Sequence, residues 1–491
     1  MLILAILGTS LATAALAASF PWRPWIGAAT AASSAVVLAL GIWLSVATMS
    51  RPQWALHHSL RADSLSAFMV IVIGAVALLA TAFTSRTMDQ ELTSGVTTKR
   101  YARHYVVLTQ VFITCMLLAV LTANLGIVWV SIEATTIATT FLVSHRRTDG
   151  AFEASWKYVI LCSVGIALAF LGTVLVYYAQ WHALGAAHAS LDWSTVMSVA
   201  HHLDPHVTRV AFALLVVGYG TKVGLVPMHS WLPDAHSQSP APVSALMSGV
   251  LLSVAFYAVL RFRAVAVAAL GPAFPRALLL VVGIASLLLA TAMLIAQRDL
   301  KRMLAYSSIE HMGLLAIGAA VGSPLAIAAV LLHILGHGIT KAVLFLSAGE
   351  IAHVEGTTEI AAMTALVSRR PALGGIFGAG LLSLVALPPF SLFVSELTMA
   401  RAEVAAGLWW AVAISLVCLG VIFAALGRHA RQILLGPATT TLTAPASTES
   451  LALPAALTSS LVGALTVCVA LGLVSWPLQS LLWHAAHGVT P

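Results

Sequence analysis

The chain has 491 residues, of which 60% are hydrophobic and only 8% carry a charged side chain. A water-soluble domain contains roughly 25% charged residues, so this composition excludes a soluble globular protein and indicates a polytopic membrane protein. The net charge of +7 is carried mainly by short loops between apolar runs, which makes it a signal of membrane topology. We therefore predict contact with membrane lipid and no nucleic-acid partner.

Apolar runs long enough to cross a membrane recur along the whole chain. A spanning helix needs about 20 apolar residues, and this rule predicts about fourteen spans. They cover residues 2–20, 26–48, 63–85, 104–122, 124–144, 156–179, 208–228, 241–260, 277–297, 303–321, 325–348, 372–399, 407–427 and 455–478. The runs lack the alternation of apolar and polar residues that is typical of barrel strands. The predicted fold class is therefore an all-α polytopic membrane protein.

Both ends of the chain are predicted to lie on the outer (periplasmic) side of a bacterial inner membrane. The first run, MLILAILGTSLATAALAASF, resembles a signal peptide in its small residues but lacks a positively charged n-region, so we expect a retained helix. With the N-terminus outside, the loops on the inner side hold about twice as many lysine and arginine residues as the outer loops. This bias predicts a multi-pass protein of the cytoplasmic (inner) membrane.

The sequence carries no motif for a redox cofactor. Its four cysteines, Cys115, Cys162, Cys418 and Cys468, each lie alone inside an apolar run. Iron–sulfur and zinc sites need clustered cysteine or histidine ligands, and no CxxC, Cys/His cluster or GxGxxG stretch occurs. We expect no cofactor or metal in this chain.

Two ionisable residues lie within predicted spans of the first half, where a charge is costly and marks ion or proton paths. Glu133, in NLGIVWVSIEATT, is too deep to reach either surface; a protonated glutamic acid bonded to a neighbouring helix is the alternative. Lys222 lies between Gly220 and Gly224 in GYGTKVGLVPMHSWLPDAH. A buried lysine whose carboxylate partner moves can change its protonation state, as a proton carrier must. The alternative is a static salt bridge.

A second group lies in HILGHGITKAVLFLSAGEI, where His333, His337 and Lys341 have i, i+4 and i+8 spacing. This spacing places all three on one stripe of a helix, and imidazoles titrate near neutral pH. The stripe is typical of a proton wire, and a packed polar stripe is the alternative. A zinc site is disfavoured because no acidic residue lies between the histidines, as it does in HExxH.

The remaining candidates have weaker support from the sequence. Glu396 follows the break at Pro388 and Pro389 in LLSLVALPPFSLFVSELTMAR, and it could instead reach the surface from near a helix end. Secondary candidates are Glu310 in YSSIEHMG, Lys157, for which an anchor at the inner surface is the main interpretation, and Asp234, for which the default role is fixing the loop after the seventh span. Those three complete the set that sequence position alone suggests.

Glycine and proline interrupt the seventh span at GTKVGLVP and the twelfth at ALPPFSLFVSE. Broken helices are tolerated at membrane depth only where protein or water bonds the freed backbone groups. Matching interruptions in two halves indicate an inverted repeat with its site at the midplane. We predict repeats of five helices, spans 4–8 and 9–13. The corresponding divisions are residues 1–103 for the first three helices, 104–260 and 261–427 for the repeats, and 428–491 for the last loop and helix.

These motifs are similar to those of the antiporter-like subunits shared by respiratory complex I, multisubunit cation/proton antiporters and membrane-bound hydrogenases. The resemblance covers nearly the whole chain. It is carried by WVSIEATT, GTKVGLVPMHSWLPDAHSQSPAPVSAL, QRDLKRMLAYSSIEHMG, LLHILGHGITKAVLF and LPPFSLFVSE. Within that superfamily, WKYVILCSVGIALAFLGTVL and SSIEHMG most resemble component F of hydrogenase 4, and formate hydrogenlyase membrane subunits are also similar.

The resemblance implies roles for matching positions. Glu133 and Lys222 would form the interacting pair of the first half-channel, and the histidine–lysine stripe would carry protons along a central axis. Glu396 would exchange protons with the far side. The sequence departs from the family at Ser248 in SALMSGVLL, where many members have a histidine or lysine. Serine does not titrate, so either water bridges this point or the chain conducts differently.

The function implied is a proton-translocating membrane subunit of a redox complex resembling hydrogenase 4, formate hydrogenlyase or complex I. Its partners would be other membrane subunits and a peripheral cytoplasmic arm that holds iron–sulfur clusters, with or without a nickel–iron centre. The alternatives are a Na⁺/H⁺ antiporter subunit, a proton-conducting partner of an inorganic-carbon uptake complex, and a non-conducting anchor. Sodium coordination would need additional carboxylates or carbonyls at depth.

Overall fold

The computed structural model describes residues 1–185, 189–437, 453–474 and 476–490. In these ranges the chain is almost entirely helical, with one short hairpin between the second and third helices. The hairpin pairs β1 (Gln53–Ala55) with β2 (Leu60–Ala62) in antiparallel register, Trp54 opposite Arg61. The prediction of an all-α membrane fold is confirmed.

The helices of the first half, in chain order, are α1 (Leu2–Ser19), α2 (Pro24–Thr48), α3 (Ser64–Ala82), α4 (Thr84–Thr93), α5 (Lys99–Leu121), α6 (Leu125–Val143), α7 (Asp149–Leu184), α8 (Trp193–Ser198), α9 (Pro205–Val223), α10 (Trp231–Gln238), α11 (Ala241–Leu246) and α12 (Leu252–Leu270). A π-helical turn, Met247–Leu251, joins α11 to α12. The helices of the second half are α13 (Ala273–Ile295), α14 (Leu300–Val321), α15 (Pro324–Glu355), α16 (Leu366–Arg369), α17 (Pro371–Leu384), α18 (Ser391–Ala405), α19 (Trp409–Leu435), α20 (Ala455–Leu473) and α21 (Trp476–His487). Short 3₁₀ turns occupy Ser144–Arg146, Ala200–His202 and Ile360–Ala362.

Twelve helices in the described ranges are long and apolar enough to cross a membrane. They correspond to all the predicted spans except the seventh and the twelfth, which are the two predicted to be broken. The predicted count of fourteen and the two inverted repeats remain predictions, because the twelve helices alone establish neither.

The seventh span breaks at Gly224, which ends α9 with a φ of 85°. The N–H groups of Leu225 and Gly224 bond the carbonyls of Gly220 and Thr221 at 2.8 and 3.1 Å, the pattern of a Schellman motif. The Trp231 indole donates to the Thr221 carbonyl at 2.8 Å. The backbone groups that the break frees are thus bonded by protein, as a break at membrane depth requires.

The twelfth span breaks between α17 and α18. The chain turns at Ala386, whose φ is 50°, and the N–H of Leu387 returns to the carbonyl of Leu382 at 3.1 Å. Helix geometry then resumes at Ser391. The position of both interruptions confirms the prediction made from glycine and proline.

Three helical segments form the centre of the molecule: Ala241–Leu270, α14 and α15. The most apolar 18-residue window of each is completely buried, whereas in α19 and α20 only a third or less is buried. Gly249 and Gly338 bring the π-helical turn against α15, since a Cβ at either glycine would lie 2.9 or 2.7 Å from the other's carbonyl oxygen. Close backbone approach at small residues is typical of helix packing in membranes.

Candidate functional site

Glu133 and Lys222 are brought together through a threonine. The Lys222 ammonium is fully buried at the last turn of α9 and donates to the Thr136 hydroxyl at 2.8 Å. That hydroxyl donates to Glu133 Oε2 at 3.1 Å. No direct ion pair between the two charges occurs in the part of the chain that the structure describes. The predicted pair is therefore in contact by way of one hydroxyl, which can accept from one group and donate to the next.

A tyrosine completes this polar group. The Lys222 ammonium also donates to the Tyr158 hydroxyl and lies 4.6 Å from the centre of its ring. The same hydroxyl is 2.5 Å from Thr139 Oγ1. The polar group around the ammonium thus offers hydroxyls, a carboxyl group and an aromatic face, from Glu133, Thr136, Thr139 and Tyr158. Nothing in the sequence pattern distinguished Tyr158, which is adjacent to the candidate Lys157.

Two secondary candidates lie in a surface ion-pair cluster instead. The Lys157 ammonium contacts Asp234 Oδ2 at 3.1 Å and Glu153 Oε1 at 2.6 Å, and Arg302 contacts Asp234 Oδ1 at 2.9 Å. The Lys157 side chain is 48% exposed, which agrees with an anchor at the surface. Asp234 therefore ties α7, α10 and α14 together rather than facing the buried axis.

Ser248 connects two central segments by a hydroxyl contact. Its Oγ is 2.8 Å from the Oγ of Ser308 on α14, and both side chains are completely buried. Ser308 donates to the Leu304 carbonyl at 3.2 Å, and the Lys341 ammonium donates to the same carbonyl at 2.7 Å. Lys341 also donates to Ser307 Oγ at 2.5 Å. The serine is thus linked to the lysine of α15 through α14.

The histidine stripe gains a third ring from another helix. His333 and His337 are completely buried on α15 with ring centres 6.4 Å apart, and His311 of α14 lies 5.0 and 5.1 Å from them. His311 Nδ1 and His333 Nε2 are in hydrogen-bond contact at 3.0 Å. Both nitrogens of His337 lack a hydrogen-bond partner among the described residues. The predicted stripe is present, and its direct histidine–histidine contact joins α15 to α14.

A cavity of about 270 Å³ lies among α14, α18 and α19, beside the broken twelfth span. Three carboxyl groups line it, those of Glu310, Glu396 and Glu403, and no lysine or arginine is found among the described lining residues. Glu310 is 2% exposed, and its Oε2 has no hydrogen-bond partner in the described ranges. The structure thus places Glu396 and Glu310 together, and it adds Glu403, which the sequence analysis did not single out.

Helix α10 connects the two halves of the site. Its Trp231 packs against the ring of Tyr158, with ring centres 4.9 Å apart. One turn later His236, completely buried, stacks on Phe345 of α15 at 5.1 Å, and neither of its nitrogens has a hydrogen-bond partner in the described part of the chain. From the sequence, His236 has only the default role of fixing the loop after the seventh span, because it follows the break and does not lie in an apolar run.

A separate ion pair fixes the start of α3. Asp63 caps this helix by accepting from Ser66 N–H at 3.0 Å, and it contacts Arg261 of α12 at 2.7 Å and Arg61 at 3.2 Å. Burial acts to raise the pKa of the Asp63 carboxyl, but the charge and hydrogen bond of Arg261, with help from Arg61, hold that pKa well below its usual range. This pair stabilises the fold outside the candidate site.

Two broken spans and buried ionisable groups on the central helices of a helical membrane protein are typical of antiporter-like membrane subunits. Residues 122–422 match the family described as NADH:quinone oxidoreductase/Mrp antiporter, TM. This match covers more than half of the chain, so the protein belongs to that family.

Among curated relatives, the Hydrogenase-4 component F homolog of Methylacidiphilum infernorum is 40% identical over 334 residues, 68% of this chain and 70% of the relative. Hydrogenase-4 component B of Escherichia coli is 31% identical over 350 residues, 69% of this chain, which spans half of that relative's length. Among solved structures, a chain of the membrane-bound sulfane sulfur reductase, an archaeal respiratory membrane complex, matches with a TM-score of 0.85 at 22% identity. The match covers 100% of this chain and 97% of that one. At this identity the structural likeness supports the fold.

Proposed function

We propose that this chain is the proton-translocating membrane subunit of a multisubunit redox complex of the hydrogenase-4 or complex I type. The observation that carries the proposal is the set of buried ionisable groups on α9, α14 and α15, which include Lys222, Glu310, His333 and Lys341. A charged lysine at the centre of a membrane helix costs at least ~2.5–3.5 kcal/mol, and ionisable groups at this depth usually mark ion or proton paths. A purely structural contact would not need groups that titrate, since hydroxyls and amides can also bond two helices.

The proton follows the polar contacts from one half to the other. Glu133 is linked to Lys222 through the Thr136 hydroxyl. A charge that moves near Glu133 changes the electrostatic environment of the lysine, and the protonation state of the lysine changes in response. The released proton passes by water to the histidines of α14 and α15. It leaves through Lys341 and Glu396. No redox step occurs in this chain, because the driving signal comes from the partner subunits.

The parent assembly supplies the redox chemistry. The names of the relatives, Hydrogenase-4 components F and B, support partner membrane subunits and a peripheral cytoplasmic arm. That arm would contain iron–sulfur clusters, with a nickel–iron centre if it is a hydrogenase. The excess of basic residues in alternate loops supports a location in the bacterial inner membrane with both termini outside.

The half-and-half organisation of the site is part of this proposal. Spans 4–8, residues 104–260, hold Glu133 and Lys222, and spans 9–13, residues 261–427, hold the histidines and Glu396. The two breaks, one in each set, support an inverted repeat. We infer one half-channel in each repeat, joined at the centre by α10 and the Ser248 contact.

Na⁺/H⁺ exchange is a second candidate, favoured by one observation. Sodium is a hard cation that prefers oxygen ligands, and the cavity among α14, α18 and α19 supplies three carboxyl groups at depth. The histidine cluster beside this cavity offers nitrogen atoms, which are poor sodium ligands. Proton transfer accounts for both parts of the site, whereas sodium exchange accounts only for the carboxyl groups.

The first experiment is gentle purification from the native membrane, followed by mass spectrometry of the associated proteins. Iron–sulfur and hydrogenase-like large subunits are the expected partners, and small antiporter subunits would contradict the redox assignment. The purified complex is then placed in vesicles, and proton uptake is measured during turnover with sodium or with choline as the only cation. Uptake that is equal in both supports proton translocation, and uptake that requires sodium supports the second candidate.

A further inference from the structure

We propose that His311, His333 and Glu396 form a binding site for a divalent transition metal such as Zn²⁺, held by three side chains from three helices. Their ligand atoms all lie within 4.8 Å of one another. The sequence pattern pointed to a different pair, His333 and His337, for which zinc was disfavoured. In the structure the His333 and His337 ring centres are 6.4 Å apart. The residues whose ligand atoms come together with His333 are His311 of α14 and Glu396 of α18.

The distances suit a small cation. His311 Nδ1 is 3.0 Å from His333 Nε2 and 4.0 Å from Glu396 Oε1. Ligands of a tetrahedral zinc ion, at about 2.0–2.1 Å from the metal, lie about 3.3 Å from each other. The two nitrogens would separate by a few tenths of an ångström, and Glu396 Oε1 would approach His311 Nδ1 by well under 1 Å. Two histidines and a glutamate with one open position form a known zinc ligand set.

A neighbouring serine fixes the orientation of one ligand. The Ser395 hydroxyl donates to the Leu392 carbonyl at 2.9 Å, so its oxygen accepts from His333 Nδ1 at 3.0 Å. His333 Nε2 therefore carries the lone pair that faces His311. Metal-bound histidines almost always donate their other nitrogen in this way, which orients the ring. The cluster already has this outer hydrogen bond.

The acidic cavity lies beside the site. Glu396 lines it with Glu310 and Glu403, so two further carboxyl groups lie on the same side of the site. Glu310 Oε2 is buried without a hydrogen-bond partner in the described chain, so it can accept a bond from a water molecule on the metal.

Metal binding would require the proton on His311 Nδ1, which faces His333 Nε2, to leave that nitrogen, because a metal and a proton compete for the same lone pair. This consequence rests on the proposed function: a bound metal would interrupt proton transfer between α14 and α15. A divalent metal bound next to the twelfth span would thus inhibit translocation.

The test is zinc binding to the purified full chain, measured by competition with a chromophoric chelator and by X-ray absorption at the zinc edge. We expect one zinc ion with two imidazoles and oxygen, and no sulfur, in its coordination shell. His333→Gln should weaken binding at least about tenfold. Ser395→Ala, which keeps every ligand, should also weaken it about tenfold or more. His429→Gln, which changes a buried histidine on α19, is the matched control.

Absence of stoichiometric zinc, a sulfur-containing shell, or equal losses in His333→Gln and His429→Gln would overturn the site. Because the absorption spectrum is taken on the wild-type protein, misfolding of a variant does not decide the result. Zinc is then added to vesicles that contain the whole complex. A site that binds zinc with the expected shell but leaves proton uptake unchanged would contradict the proposed proton path and leave the metal site standing.

Discussion

Replacing Lys222 by methionine tests whether this lysine carries protons or only bonds helices together. The ammonium is fully buried and makes two hydrogen bonds, to Thr136 and Tyr158. Methionine fills a similar volume without a charge. The hydroxyls it leaves retain partners, because Thr136 still donates to Glu133 and Tyr158 still contacts Thr139.

Two opposing effects keep the expected change in stability small. Hydrogen bonds to a charged group contribute about 1.5–3 kcal/mol each, and their loss is offset by removing a buried charge whose desolvation costs several kcal/mol. We expect the free energy of unfolding to change by no more than about 2 kcal/mol. Translocation should fall at least about tenfold, which corresponds to about 1.4 kcal/mol in activation free energy.

The assay is the number of protons taken up per electron by the complex in vesicles, measured with a pH-sensitive dye during turnover. Lys222→Arg adds a second test: it keeps the positive charge but does not release a proton at physiological pH. Translocation should therefore be lost in Lys222→Arg as well, whereas a purely structural cation would tolerate arginine. Lys99→Met, at an exposed lysine, is the control. Wild-type proton uptake in Lys222→Met would refute the reasoning.

Three further predictions concern other parts of the fold. Ser248→Ala removes the hydroxyl contact to α14 and should slow proton uptake, whereas Ser248→Thr, which keeps a hydroxyl, should retain more of it. Gly218→Ala should destabilise the protein by about 1–3 kcal/mol in a thermal melt, through overpacking. The new Cβ would lie 2.5 Å from the backbone nitrogen of Ala169, while Gly420→Ala, with no atom within 4 Å, should not destabilise. The lowered pKa of Asp63 means that its carboxylate stabilises the fold above the unfolded pKa near 4, so stability should fall as pH drops below about 4. Asp63→Asn should remove that part of the pH dependence in acid unfolding.

The breaks in the seventh and twelfth spans could be predicted because their causes are local. Gly224 adopts a φ of 85°, which few other residues tolerate, and glycine or proline can be recognised one position at a time. The same holds for the alignment of His333, His337 and Lys341, which follows from helical geometry alone. Their burial also follows, since ionisable groups in long apolar runs avoid lipid.

The contacts between helices could not be predicted in the same way. His311 reaches His333 across 22 positions in sequence, and Thr136 reaches Lys222 across 86. Which side chains meet depends on the axial offset and rotation of packed helices, and a single sequence does not encode these in its periodicity. Glu403 illustrates this limit, because it becomes part of the acidic cavity only through the packing of α18 against α14 and α19.

Close packing lets the short side chain of Ser248 reach α14. The resemblance to the family implies a histidine or lysine at this position, and a serine side chain is several ångströms shorter. The π-helical turn and the contact of Gly249 with Gly338 bring this backbone close to α15, and the serine hydroxyl then reaches Ser308 at 2.8 Å. A hydroxyl both donates and accepts, so it can pass a proton to or from water without holding a charge. We therefore propose that a hydroxyl relay at Ser248 replaces a charge-storing step, with proton storage at Lys222 on one side and Lys341 on the other.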